Sequence, residues 1–90
     1  MSNQQRIVQI KALLEQALSP SLIDVQDESH KHIGHAGAQN GAGHFALTIQ
    51  SAKLANKNRL QQHKIIYEIL AEMMQNEIHA LKIKVLQEIK

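Results

Sequence analysis

Apolar residues recur at helical spacing through the first part of the chain. Ile7, Ile10, Leu14 and Ala17/Leu18 share one face, which predicts an amphipathic helix over residues 4–18. Ser2 or Asn3 is suited to cap its start. Ser19-Pro20 ends it, because the residue before a proline is driven out of the helical region. The period then changes to two. In Leu22-Ile-Asp-Val-Gln-Asp-Glu28, Ile23 and Val25 face one way and Asp24 and Gln26 the other, so residues 22–28 read as a short strand. Residues 44–51 alternate more cleanly, with Phe45, Leu47 and Ile49 on one face, and predict a second strand. Residues 59–75 return to helical spacing, with Leu60, Ile66, Ile69/Leu70 and Met73/Met74 as the stripe and Asn58 as the cap. A third strand is predicted over 78–86, where Leu81, Ile83 and Val85 alternate with Lys82 and Lys84. The last four residues read as a frayed end.

The order helix, strand, strand, helix, strand predicts an α+β two-layer sandwich, with a three-stranded sheet and the helices on one of its faces. The first two strands are expected to pair antiparallel. All four glycines fall between Ser29 and Gly43, so that connection is expected to be flexible, with residues 36–43 the most mobile internal segment. The 90 residues suit a single domain over 1–90, which buries about 60–65% of its unfolded surface.

Composition narrows the function. Aromatics are 2% of the chain, Phe45 and Tyr67 alone, so the core is aliphatic and no row of rings is present for stacking bases. Ten Lys plus Arg against eight Asp plus Glu give a net charge of +2, which neither demands nor forbids a nucleic acid. Cysteine is absent, which excludes a thiolate nucleophile, a disulfide framework and a cluster held by cysteines of this chain. No apolar run reaches the about 18–20 residues of a membrane span. The amino-terminal residues lack the apolar core of a signal peptide, so a cytoplasmic protein with no membrane partner is expected.

The six histidines are the compositional anomaly. His79 opens the third strand with the parity of Leu81, Ile83 and Val85, which places it on the core-facing side, half-buried at a rim. A packed histidine bonded to a backbone carbonyl is the plain alternative. His30, His32 and His35 lie close together in the loop; three imidazoles can bind zinc, and a solvated polar loop is the competing reading. His44 has the parity opposite to Phe45 and reads as a surface residue. His63 and Tyr67 are four apart on one helix face and read as a side-chain stack. No Ser–His–Asp or Cys–His arrangement is supported, so no enzymatic activity is expected. Lys53, Lys57, Arg59 and Lys64 form a basic run that suits phosphate contacts or a solvated face.

Asp27-Glu28-Ser29 followed by His32 and His35, His44-Phe45 opening a strand that ends at Ser51, His63 near a helix start with Tyr67, and Ile78-His79-Ala80-Leu81 occur in this order. Together they resemble the BolA family, over roughly residues 5–85. The resemblance implies a class II KH-like fold with a helix-turn-helix-like element around residues 53–75. It implies two activities. One is pairing with a monothiol glutaredoxin and sharing a bridging 2Fe–2S cluster, for iron–sulfur trafficking or iron sensing. The other is DNA-binding transcriptional regulation affecting cell shape and stress response. Carried onto this chain, the ligands are His79 and one loop histidine, His32 or His35. Glycines beside His35 favour it, and counting from Asp27-Glu28-Ser29 favours His32. The isolated chain is expected to hold no cluster, and self-association is expected to stop at a weak homodimer. DNA contacts fall to Lys53, Lys57, Arg59 and Lys64. Departures from the family pattern are Gln62-His63-Lys64 in place of Arg-His-Arg, Leu54 and Asn56 in place of Phe and Gly, no Gly-x-x-Gly within 52–59, and no Thr-Pro after the last strand.

Overall fold

A computed structural model of the chain describes residues 2–29 and 41–87. The elements run α1 (Asn3–Leu18), β1 (Leu22–Asp27), β2 (Gly43–Gln50), a 3-10 turn (Ala52–Leu54), α2 (Arg59–Ile69), α3 (Ala71–Asn76) and β3 (Ile78–Val85). The sheet order is β1-β2-β3. β1 and β2 pair antiparallel with Val25 opposite Leu47, as expected, whereas β2 and β3 pair parallel with Leu47 opposite Ile83. The parallel pair is joined by the crossover through α2 and α3, the kind of connection that parallel neighbours require. The result is the α+β fold with a three-stranded sheet that the periodicities predict.

Helix α1 begins in a capping box: Ser2 accepts from the Gln5 amide and the Gln5 side chain accepts from the Ser2 amide. It ends at Ser19, whose left-handed backbone (φ 44°) turns the chain into Pro20. Asn58 and Gln61 make the same reciprocal box at the start of α2. The helical run expected over 59–75 is divided at Leu70 (φ −96°, ψ 13°), yet the Leu70 and Met74 amides still donate to Ile66 and Leu70 carbonyls across the bend. Without proline or glycine in the run, the bend is a packing accommodation that leaves Ile66, Leu70 and Met73 all buried.

The core is a single aliphatic layer. Ile10, Leu14 and Leu18 of α1, with Ile66, Leu70 and Met73, cover Val25, Phe45, Leu47, Ile49 and Leu81 on one face of the sheet. Asp24, Gln26, Lys82 and Lys84 occupy the opposite face and are exposed. Leu60, expected in the apolar stripe of α2, stands 70% exposed, and Ile65 packs on the core instead. Among the described residues, no helix is long and apolar enough to cross a membrane.

The loop expected to be mobile falls largely outside the described residues, as do the last three of the four residues expected to fray. Gly43 belongs to β2. A Cβ there would lie 2.5 Å from two atoms of the Phe45 ring and 2.8 Å from Asn3 Oδ1. That ring is 1% exposed and has no free space to move into. Gly43→Ala is therefore expected to destabilise the fold by about 1–3 kcal/mol, the usual cost of overpacking, read as a lower midpoint in urea with an unchanged slope.

Candidate functional site

Strand directions bring three chain segments to one end of the sheet. β1 finishes there, β2 and β3 begin there, and the connection that carries His30, His32 and His35 leaves from Ser29 at the same place. These three histidines lie outside the described residues. The anchor of their segment is described: the His44 amide donates to Ser29 Oγ at 3.0 Å, and the Glu28 amide donates to the His44 carbonyl at 2.7 Å.

His79 is exposed, not half-buried on the core side. The reason is an irregularity in the ladder. Gly43 pairs with Ile78 but His44 pairs with Ala80, so β3 carries one extra residue at His79. A bulge of this kind breaks strict alternation. Ile78 and Leu81 are both buried, and the pair between them, His79 and Ala80, faces solvent. His79 also lines a cleft of about 330 Å³ between the Ala42 end of β2 and residues Met74–Asn76.

His44 reverses its expectation too. It lies on the outer face of β2, as its parity indicates, but it is only 6% exposed. Its ring stands against that of His79, with centroids 4.8 Å apart and planes inclined by 51°. Sequence alternation assigned it the right face and the wrong burial, because this corner of the outer face is covered. The Glu28–Lys82 pair crosses from the end of β1 to β3 on the same face, Nζ to Oε1 at 3.3 Å.

A polar network braces this end from below. The Arg6 side chain, nearly buried, donates from Nε to Glu77 Oε1 and from a terminal nitrogen to Asn3 Oδ1, each at 2.8 Å. Asn3 Nδ2 donates to Asp27 Oδ2 at 3.1 Å and Ser29 Oγ at 3.2 Å. The Gly43 amide donates to the Glu77 carbonyl at 3.0 Å. The start of α1, the end of β1, the start of β2 and the turn before His79 are thus held as one unit. Arg6 repeats the spacing of Ile10, Leu14 and Leu18, which is the signal that would have marked it as inward-facing.

Among the described residues, no group of three or more His, Asp or Glu is placed to hold a metal ion. His44 and His79 give two adjacent imidazoles and no thiolate, so a complete ligand set is not assembled from them.

The four basic residues separate in space. Lys57 and Lys64 line one cleft of about 290 Å³, with Glu68 on the same rim. Arg59 lines a different cleft together with His63 and Lys84. Lys53, in the 3-10 turn, places Nζ 3.4 Å from the Ala17 carbonyl. His63 is half-buried, and the hydroxyl of Tyr67 donates to the Leu81 carbonyl at 3.3 Å. Asn56 adopts a left-handed backbone (φ 63°), a conformation that asparagine tolerates almost as glycine does. Leu54 is fully buried.

An α+β domain with a parallel β2–β3 pair and an exposed histidine at the strand start defines a recognisable class. A family model described as BolA-like protein matches residues 14–88. The BolA domain of SufE1 from Arabidopsis thaliana superposes with a TM-score of 0.81 at 33% identity, covering 91% of each chain. BolA-like protein 1 of Mus musculus is 36% identical over 83% of this chain, and its solution structure superposes with a TM-score of 0.74. The protein of Haemophilus influenzae named DNA-binding transcriptional regulator BolA is 32% identical over 86% of this chain and 70% of its own length. The chain belongs to the BolA-like family. It spans 53% of the mouse relative and 22% of Arabidopsis SufE-like protein 1.

The brace predicts a coupling. Arg6→Ala leaves Glu77 and Asn3 without their buried partner, and is expected to cost about 1–3 kcal/mol of stability. A double-mutant cycle with Glu77→Ala, read by denaturant unfolding, is expected to show a favourable interaction between the two side chains. Strict additivity would show that the pair is not coupled.

Proposed function

We propose that this protein is a cytoplasmic, non-enzymatic adaptor that pairs with a monothiol glutaredoxin and shares a 2Fe–2S cluster through histidine. The observation that carries this reading is His79. The extra residue in β3 turns its imidazole out of the core face and into solvent, at the sheet end where the segment bearing His32 and His35 is anchored. His79 and one of those two loop histidines supply nitrogen ligands from this chain. His44, packed against His79, limits the orientations of that ring and is a positioning residue.

The donor chemistry fits a shared group rather than a resident one. Imidazole ligation of iron in such clusters is viable, as Rieske centres show, but four ligands are needed. With His79 and one loop histidine this chain provides two of them, and with no cysteine it provides no thiolate. Thiolates come from the glutaredoxin cysteine and glutathione. When bound, the cluster supplies a reducible, transferable iron–sulfur unit.

A second reading is DNA-binding regulation, the activity named for the Haemophilus influenzae and Escherichia coli relatives. It is favoured by the exposed pair Lys57 and Lys64 sharing one cleft at the start of α2. The two readings are compatible, since partner binding at the His79 end leaves α2 accessible.

Co-expression with a monothiol glutaredoxin is expected to give a coloured heterodimer whose visible spectrum differs from that of the glutaredoxin homodimer. His79→Ala is expected to erase that difference while the far-ultraviolet dichroism and thermal midpoint stay near those of the parent, since the side chain is exposed. An unchanged spectrum in this variant rules out His79 as a ligand. For the second reading, log K against log salt concentration is expected to be linear and steep. Lys57→Ala is expected to flatten the slope by about 0.9, the value for one phosphate contact. A salt-independent affinity, or no binding, rules out the nucleic-acid reading.

A further inference from the structure

The free edge of β3 carries groups that the function proposed above does not use. Among the described residues, β3 has one strand neighbour in the sheet, β2. The Leu86 amide donates to the Ile49 carbonyl at 2.8 Å, and Ile49 stands opposite Val85. In a parallel ladder, alternate residues turn both backbone groups to the same neighbour. Lys82, Lys84 and Leu86 therefore face β2, while Leu81, Ile83 and Val85 turn N–H and C=O to the free edge. The Tyr67 hydroxyl obeys the same parity: it reaches the edge at the Leu81 carbonyl, 3.3 Å away. Beyond Tyr67 the edge opens into a cleft of about 390 Å³ lined by Arg59, Gln62, His63, Ile83, Lys84 and Val85. Arg59 and Lys84 are exposed, and none of the lining residues is acidic.

We propose that this cleft binds an extended acidic peptide segment of a partner protein. The segment adds to β3 as a fourth strand, pairing with Ile83 and Val85, and its carboxylates meet Arg59 and Lys84. Two observations select this occupant. Donor and acceptor pairs repeating every second residue, about 6.6 Å apart, are the pattern that another strand complements. The basic rim selects an acidic segment and disfavours a second copy of β3, because antiparallel pairing of two β3 edges would bring Lys82 and Lys84 of one chain against the same lysines of the other. A single-stranded nucleic acid fits less well: the one ring among the lining residues is His63, which is half-buried, so successive bases have no row of rings to stack on. The cleft lies toward the end of β3 remote from His79, so a peptide seated there leaves that imidazole uncovered.

The probes are a short, end-blocked peptide alternating valine and threonine with glutamate, the same peptide N-methylated at alternate backbone amides, and a deoxythymidine oligonucleotide of equal length. Each is titrated into the full chain by calorimetry and by amide chemical shifts. The parent peptide is expected to bind saturably, with shifts centred on Arg59, Leu81, Ile83 and Val85. Backbone methylation and Lys84→Glu are each expected to weaken it by about tenfold or more. Val85→Pro removes an amide that faces the free edge and no ladder bond to β2, as edge strands tolerate. It is expected to abolish binding and to lower the thermal midpoint modestly, because the Val85 side chain packs against the core. The proposal is overturned if the methylated peptide binds as well as the parent, since charge alone then suffices. Tighter binding of the oligonucleotide with the same shifts, or peptide shifts centred on His79, overturns it as well. The methylated peptide needs no protein variant, so the result stands whether or not Val85→Pro folds.

Discussion

β2 is hydrogen-bonded along both edges, antiparallel to β1 on one side and parallel to β3 on the other. The rest of the architecture is a consequence of that double pairing. The parallel partner requires a crossover, and the crossover is α2 with α3. Its helices can bury Ile66, Leu70 and Met73 only against the face that Phe45, Leu47 and Ile49 present. The antiparallel partner returns the chain to the end where β2 and β3 start. With one central strand oriented this way, the histidine-bearing connection and His79 meet at the same end of the sheet whatever the connection does in between.

The sequence is legible where one period holds over several residues. Residues 44–51 and 78–86 alternate with little ambiguity, and both strands appear within a residue or two of those bounds. Legibility fails where a single residue shifts the phase. Parity counted back from Leu81, Ile83 and Val85 puts His79 on the core face, but the unequal pairing at Gly43 and His44 reverses it, and no residue type in Ile78-His79-Ala80 announces a bulge. His44 is a different failure. Its face is readable and its burial is not, because burial on an outer sheet face depends on what lies over it, here the ring of His79. Arg6 is legible from its spacing, four residues ahead of Ile10 on the same helix face, although its charge argues against burial. Its guanidinium is satisfied by Glu77 and Asn3, so burial carries no stranded charge.

Two departures from the family pattern are accommodated locally rather than by a change of fold. Asn56 takes the left-handed backbone that a glycine would supply in the turn before α2. Leu54 fills the interior beneath that turn without an aromatic ring. The turn keeps its shape while its side chains change, which fits a segment whose backbone is constrained from both sides by Ser51 and the capping box at Asn58. What changes is the chemistry on offer. Basic groups are distributed over separate clefts, so a single polyanion running along α2 meets Lys57 and Lys64, while Arg59 and Lys84 look toward the edge of the sheet.

The positions of the two chain ends follow from the same topology. Asn3 is bonded to Asp27 and Ser29, so α1 starts at the same end of the sheet as His79, whereas Leu86 and Gln87 leave beside Ile49 and Gln50 at the far end. A fluorescent protein, affinity tag or neighbouring module fused after residue 87 therefore projects away from His79. The same cargo fused ahead of Ser2 begins at the His79 end and competes for space with any protein that approaches that end. For labelling or tethering this domain, the carboxyl side is the permissive handle and the amino side the obstructive one.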